Sequence, residues 1–167
     1  LTEEQGRALE AALADDPATE ARCFVAMRYW HPMSEAAARD VQAWGPDEVL
    51  LLPLYQQYST TTTGSSVTAW EEACRAIGLS VPTTTLCCWH SDEGFAAATA
   101  LVRRSYDAAR AGLPADVTLR ILFSAHGLPE SIVKAGDPYQ WQVERSVAAV
   151  VDALAIPGLD HAICYQS

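Results

Sequence analysis

The chain has 167 residues, half of them hydrophobic, which is typical of one globular domain or of parts of two. Its 11 basic and 21 acidic residues give a formal net charge of −10, and the lack of a basic cluster argues against a nucleic-acid partner. No apolar run approaches the roughly 20 residues of a transmembrane helix, and no signal-peptide pattern is visible. The five cysteines lack a Cys-x-x-Cys spacing, so we expect buried thiols rather than a metal site, in a reducing, cytoplasmic location.

Hydrophobic periodicity predicts helices that alternate with short strands. The first helix opens with a capping box formed by Thr2 and Gln5, and Ser34 and Ser91 are expected to cap the second and fourth helices. Gly45 is expected to end the second helix. The predicted helices are 2–14, one between Ser34 and Gly45, 67–77, one from Ser91 to about 111, and 138–155. The predicted strands are 23–27, 49–54, 83–89, 117–123 and 161–165.

This alternation predicts an α/β fold with parallel, doubly wound sheets. The sequence Gly112-Leu113-Pro114 breaks the fourth helix, and we place a domain boundary there, between residues 1–114 and 115–167. Residues 119–123 are nearly all apolar, which suits a strand buried on both faces of a parallel sheet.

Polar residues follow three of the predicted strands. They are the stretch 28–31, which begins with Arg28 and Tyr29, the stretch 55–66, which contains the hydroxyl-rich run 59–66, and the stretch 124–126, which ends with His126. Because ligands bind at the carboxyl ends of parallel strands, these three stretches are expected to meet at one edge. Each also has a structural interpretation: a surface salt bridge for Arg28, helix capping instead of anion binding for the run 59–66, and an incidental histidine.

The segment after His126 contains two turn signals. Gly127 is expected to adopt φ > 0 and let the backbone turn away from the strand. Asp137 and Pro138 are expected to cap and start the next helix. Together they predict a histidine held at a rigid strand end.

Three phrases of the sequence are long and specific. They are FVAMRYWHP at 24–32, LLPLYQQYSTTTTGSS at 51–66 and LFSAHGLPESIVKAGDPY at 122–139. In this order they resemble the signature phrases of bacterial-type ferrochelatases, and the chain is similar to an internal portion of such a protein. Gln56 stands where many members of the family carry proline.

The resemblance implies a chelatase-like α/β fold of two Rossmann-like lobes, each only partly present. It implies an enzyme that inserts Fe²⁺, as a substrate, into protoporphyrin IX to form protoheme, the last step of heme biosynthesis. The residue matching the family's catalytic and metal-binding histidine is His126. The residues matching its porphyrin-binding positions are Arg28, Tyr29, Thr61, Thr62 and Ser65.

Two alternatives stay open at this point: a chelatase that inserts cobalt or another metal into a tetrapyrrole, and a non-catalytic tetrapyrrole-binding α/β module. The chain begins at Leu1 and stops at Ser167 directly after a strand-like run, so we interpret it as an excerpt. The family's N-terminal porphyrin loop, its C-terminal acid and any iron–sulfur cluster ligands are then expected outside the chain. The activity of this portion alone, peripheral membrane contact, metal specificity and oligomeric state stay open.

Overall fold

A computed structural model describes residues 1–15, 19–90, 95–114 and 116–166. In these ranges helices alternate with short parallel strands, so the chain has a mixed α/β fold. The helices are α1 (Thr2–Leu13), α2 (Ser34–Trp44), α3 (Ser65–Ile77), α4 (Phe95–Ala111), α5 (Glu130–Lys134) and α6 (Tyr139–Leu154), with a π-helical segment at Thr60–Gly64. The strands are β1 (Val49–Leu51), β2 (Thr83–Thr85), β3 (Arg120–His126) and β4 (Asp160–Gln166). The expected cap at Ser91 lies outside the described residues.

The chain folds as two compact units. Unit 1 comprises Leu1–Pro53 and Thr61–Leu86, and unit 2 comprises Leu54–Thr60 and Cys87–Ser167. These units are not the halves obtained by cutting the chain at residue 114. The division into residues 1–114 and 115–167, which refers to the lobes of a whole protein, stays a prediction.

The core of unit 1 forms where α2 packs against α3. Both helices carry apolar residues at helical spacing, so each turns one stripe inward. The small side chains of Ala37 and Ala38 share this core with the indole of Trp70, and Ala38 is completely buried. Beside the helices, β1 and β2 pair in parallel, with Val49 opposite Thr83. The fully and partly buried core residues are Ala37, Ala38, Val41, Trp70, Ala73, Phe24, Val49, Leu51, Cys74, Ile77 and Leu79.

The predicted strand 23–27 is wrong. Only an isolated parallel bridge joins Met27 to Met33. The backbone N–H of Cys23 donates instead to the Glu10 carboxylate, at 2.6 Å. An apolar run becomes a strand only where a neighbouring strand accepts its backbone hydrogen bonds. The strands β1 and β2 are real but shorter than predicted, with three residues each.

The helix ends agree with the sequence at their carboxyl termini and differ at their amino termini. Gly45 ends α2 with φ of 74°, a left-handed conformation that glycine adopts without steric cost. The capping box is wrong, because Leu1 occupies the N-cap position of α1 and Thr2 is already helical. Ser34 is likewise the first residue of α2, after Met33, and no side chain hydrogen-bonds at either cap.

Unit 2 is built on a parallel ladder between β3 and β4 that runs from the pair Arg120 and Asp160 to the pair His126 and Gln166. The helix α6 packs against α4 and carries a buried apolar face, whose valines recur at helical spacing. Its buried apolar residues are Val143, Val147, Val150 and Leu154.

Two expectations about β3 need correction. Its exposure alternates along the strand instead of being low on both faces, and Leu122 is 62% exposed. Gly127 does not adopt a left-handed conformation, since its N–H continues the ladder by donating to the Gln166 carbonyl, at 2.7 Å. The glycine with positive φ in this region is Gly136, at 96°. The sharp turn therefore lies just before Asp137.

Candidate functional site

His126 is the last residue of β3, at the strand's carboxyl end, as the sequence predicted. Its side chain is exposed. Ser124 lies two residues earlier, on the same face of the strand. The Ser124 hydroxyl accepts a hydrogen bond from the Gln166 side-chain amide, at 2.7 Å. The ladder thus presents an exposed imidazole next to a small polar patch.

In unit 1 the structure brings together three of the predicted site residues. The Nε of Arg28 donates to the Ser65 hydroxyl, at 2.7 Å. The guanidinium carbon lies 4.8 Å from the ring centre of Tyr29, which is 74% exposed. His126 belongs to unit 2 and is described separately.

The hydroxyl-rich run forms the π-helical segment Thr60–Gly64, which leads directly into α3. Thr61 and Thr62 are half-buried in it. Thr63, which the sequence did not single out, is completely buried, and its hydroxyl has no hydrogen-bond partner among the described residues. π-Helical turns occur often at functional sites.

Asp137 accepts several hydrogen bonds from other residues of unit 2. It is 8% exposed. Its Oδ2 accepts hydrogen bonds from the Ser59 hydroxyl, the Thr60 N–H and the Thr60 hydroxyl, at 3.0, 2.8 and 2.7 Å. Its Oδ1 accepts one from the N–H of Tyr139, the first residue of α6, at 3.0 Å. The N-cap position itself is occupied by Pro138, one residue later than expected.

The same hydrogen bonds lower the pKa of the Asp137 carboxyl group. Burial alone would raise its pKa, but the four hydrogen bonds stabilise the carboxylate, so the pKa lies below its ordinary value. The Thr60 N–H at the start of the π-helical segment is thereby occupied by this carboxylate. The hydroxyl run itself does not cap α3, because Gly64 occupies the N-cap position and no side chain hydrogen-bonds there.

Two further polar residues of α6 were missed by sequence reasoning. Gln142 and Ser146 are both buried, and we call them together with Asp137 the polar stripe. Gln142 Oε1 accepts from the Tyr58 N–H at 2.6 Å, and the Ser146 hydroxyl accepts from the Gln57 side-chain amide at 2.9 Å. Their spacing of four residues within a valine-rich helix was the available signal.

The cysteines are free thiols, but the expectation that they are buried is wrong. Cys87 and Cys164 are exposed, and the other three are half-buried. Within the described residues, no group of three or more His, Cys, Asp or Glu side chains is arranged to hold a metal ion. In the same part of the chain, no helix is long and apolar enough to span a membrane.

Short parallel strands flanked by helices place this chain among the α/β proteins. The chain belongs to the ferrochelatase family, because the family model described as Ferrochelatase matches residues 1–167.

Relatives from several bacteria agree with this family membership. The chain is 53% identical to the ferrochelatase of Phenylobacterium zucineum over 99% of its length and 47% of the relative's. It is 51% identical to that of Caulobacter vibrioides, over 99% of the chain and 46% of the relative. It is 41% identical to that of Pelagibacter ubique, over 100% and 47%. The chain thus spans about half the length of the curated relatives it matches.

Proposed function

We propose that the whole protein containing this chain is a ferrochelatase, which inserts Fe²⁺ into protoporphyrin IX and releases protoheme in the last step of heme biosynthesis. The observation that carries this proposal is the family match along residues 1–167, with 41–53% identity to proteins named ferrochelatase. The two substrates are the porphyrin and the ferrous ion. Residues 1–114 and 115–167 would belong to the protein's two lobes, and its location would be cytoplasmic.

In this proposal His126 is the catalytic residue. Metal insertion removes two pyrrole protons and replaces the water around Fe²⁺ with four pyrrole nitrogens. A neutral imidazole can accept a pyrrole proton and can also bind a ferrous ion, so one side chain suits either task. Its exposed position at the end of β3 is compatible with contact to a substrate.

Arg28, Tyr29 and Ser65 are proposed to bind the porphyrin in the same enzyme. The guanidinium held by Ser65 is suited to a propionate carboxylate, and the exposed ring of Tyr29 is suited to packing on a flat macrocycle. Thr61 and Thr62 would border the porphyrin on the adjoining helical segment.

Metal insertion by the full-length protein is the test. Protoporphyrin IX and Fe²⁺ are supplied under anaerobic conditions, and the visible spectrum is followed for wild type and for His126→Ala. His161→Ala is the matched control, because His161 is exposed on the paired strand β4, near the opposite end of the ladder. We expect wild type and the control to form protoheme and His126→Ala to lose most of the rate.

Parallel reactions with Co²⁺ and a porphyrin-fluorescence titration separate the alternatives. Insertion of Co²⁺ but not Fe²⁺ would replace the proposal with a different chelatase. Porphyrin binding without insertion of either metal would replace it with a carrier. Full activity of His126→Ala would remove the role given to this histidine.

A further inference from the structure

Four consecutive residues, 57–60, are held one by one on the polar stripe. Each donates at least one hydrogen bond to Asp137, Gln142 or Ser146, at distances of 2.6 to 3.0 Å. Two of the donors are backbone N–H groups, so the bonds fix the path of the chain as well as its side chains. A connecting segment on a protein surface is rarely bonded at every residue.

Asp137 is the member of the stripe whose burial costs the most. Removing a carboxylate from water is strongly unfavourable unless hydrogen bonds replace the lost hydration. All four hydrogen bonds described for it come from neutral donors, and three of them meet at Oδ2. An apolar residue, as on the valine face of α6, would avoid this cost. The carboxylate therefore contributes mainly by holding the segment 57–60 in one conformation.

The hydrogen bonds to Asp137 also hold the first residue of the π-helical segment. Thr60 is its first residue, and both the N–H and the hydroxyl of Thr60 bind Asp137. A carboxylate at this position also interacts favourably with the partial positive charge of a helix N-terminus. The next two residues along the helix are Thr61 and Thr62.

We infer that Asp137 is a positioning residue for porphyrin binding: by holding Thr60, it fixes the first turn that carries Thr61 and Thr62. This inference rests on the proposed function, in which those two threonines border the porphyrin. It assigns Asp137 no contact with substrate and no proton transfer.

The test compares three variants of the full-length protein. Asp137→Asn keeps the shape of the side chain but removes its charge and one acceptor oxygen. Thr60→Val keeps the backbone N–H and removes only the hydroxyl bond to Asp137. Val150→Ala is the matched control, because it opens a small cavity in the buried face of α6 without touching the polar stripe.

We expect Asp137→Asn to raise the KM for protoporphyrin IX roughly tenfold, the size of one lost charge-assisted hydrogen bond. The KM for Fe²⁺ and kcat should change by less than about twofold, within the noise of an undisturbed reaction. Thr60→Val should raise the porphyrin KM less, because it removes one of the four bonds to Asp137. It should add little on top of Asp137→Asn, because that variant already weakens the same bond. Amide hydrogen exchange over residues 58–64 should become faster in both variants and not in Val150→Ala.

Failure of this inference is distinct from failure of the proposed function. If wild type forms no protoheme, the proposed function fails, while hydrogen exchange and porphyrin fluorescence still test Asp137. Unchanged porphyrin affinity and exchange in Asp137→Asn would overturn the inference. Equal changes in KM for Asp137→Asn and Val150→Ala would also overturn it, because they would indicate general destabilisation. If Asp137→Asn does not fold, Thr60→Val alone decides between these outcomes.

Discussion

Replacing Ser65 with alanine in the full-length protein is expected to weaken porphyrin binding through its effect on Arg28. In the structure the Ser65 hydroxyl accepts the 2.7 Å hydrogen bond from Arg28 Nε and so holds the guanidinium in one orientation. Without this bond the arginine keeps its charge but regains rotamer freedom. The entropy of ordering its side chain must then be lost when the porphyrin binds.

The expected size follows from the cost of immobilising one long side chain. That cost is about 0.5–1.5 kcal/mol, which corresponds to roughly a 2- to 13-fold rise in Kd. The contact of the guanidinium with the Tyr29 ring remains in the variant, at a strength of about 0.5–1 kcal/mol for an exposed site. This residual restraint favours the lower half of the range.

The assay is a porphyrin-fluorescence titration of a double-mutant cycle formed by Ser65→Ala and Arg28→Ala. Ser66→Ala is the control for a neighbouring hydroxyl. In the Arg28→Ala background, Ser65→Ala should change Kd by less than about twofold, because the bond is already absent. A loss as large in that background as in wild type would refute the reasoning. Repeating the cycle with the porphyrin dimethyl ester tests whether a propionate is the bound group, since the coupling should then disappear.

Two further outcomes concern stability of the full-length protein. Gly136→Ala should lower the free energy of unfolding by about 1–2 kcal/mol, because φ at this position is 96° and a side chain with a Cβ is strained there. Gly127→Ala should change the free energy of unfolding by less than about 0.5 kcal/mol, because the added Cβ would meet the Gln166 carbonyl oxygen at 3.5 Å, an ordinary van der Waals distance. Urea denaturation measures both free energies, and equal losses for Gly136→Ala and Gly127→Ala would contradict the reasoning from backbone conformation. Because the pKa of Asp137 is lowered in the folded state, its contribution to stability is complete above the ordinary value of 3.8 and is lost as the pH falls below that value. The difference in unfolding free energy between wild type and Asp137→Asn should therefore shrink as the pH falls below 3.8, and a difference that is constant with pH would contradict it.

The features that local sequence could predict are those that depend on a few neighbouring residues. The position of His126 at a strand end followed from an apolar run that stops at a polar residue. The end of α2 at Gly45 followed from the ease with which glycine adopts a left-handed conformation. The buried face of α6 followed from valines at helical spacing.

The features that the sequence could not predict depend on distant partners. Asp137 was expected only to cap α6, and nothing near it in sequence indicates bonds to Ser59 and Thr60, which lie 78 and 77 positions away. The strand expected at 23–27 failed for the related reason that a strand needs a partner. The roles proposed for Arg28, Tyr29, Thr61, Thr62, Ser65 and His126 stay predictions until they are measured.

The attachment of residues 57–60 to the polar stripe also constrains how this part of the chain can vary between relatives. Loops after strands normally accept insertions, because few of their groups are bonded. One residue added within 57–60 would displace every following group by about 3.8 Å, farther than a hydrogen bond can stretch. The polar stripe therefore fixes the number of residues in the segment 57–60. We expect insertions and deletions among family members to fall before or after this segment.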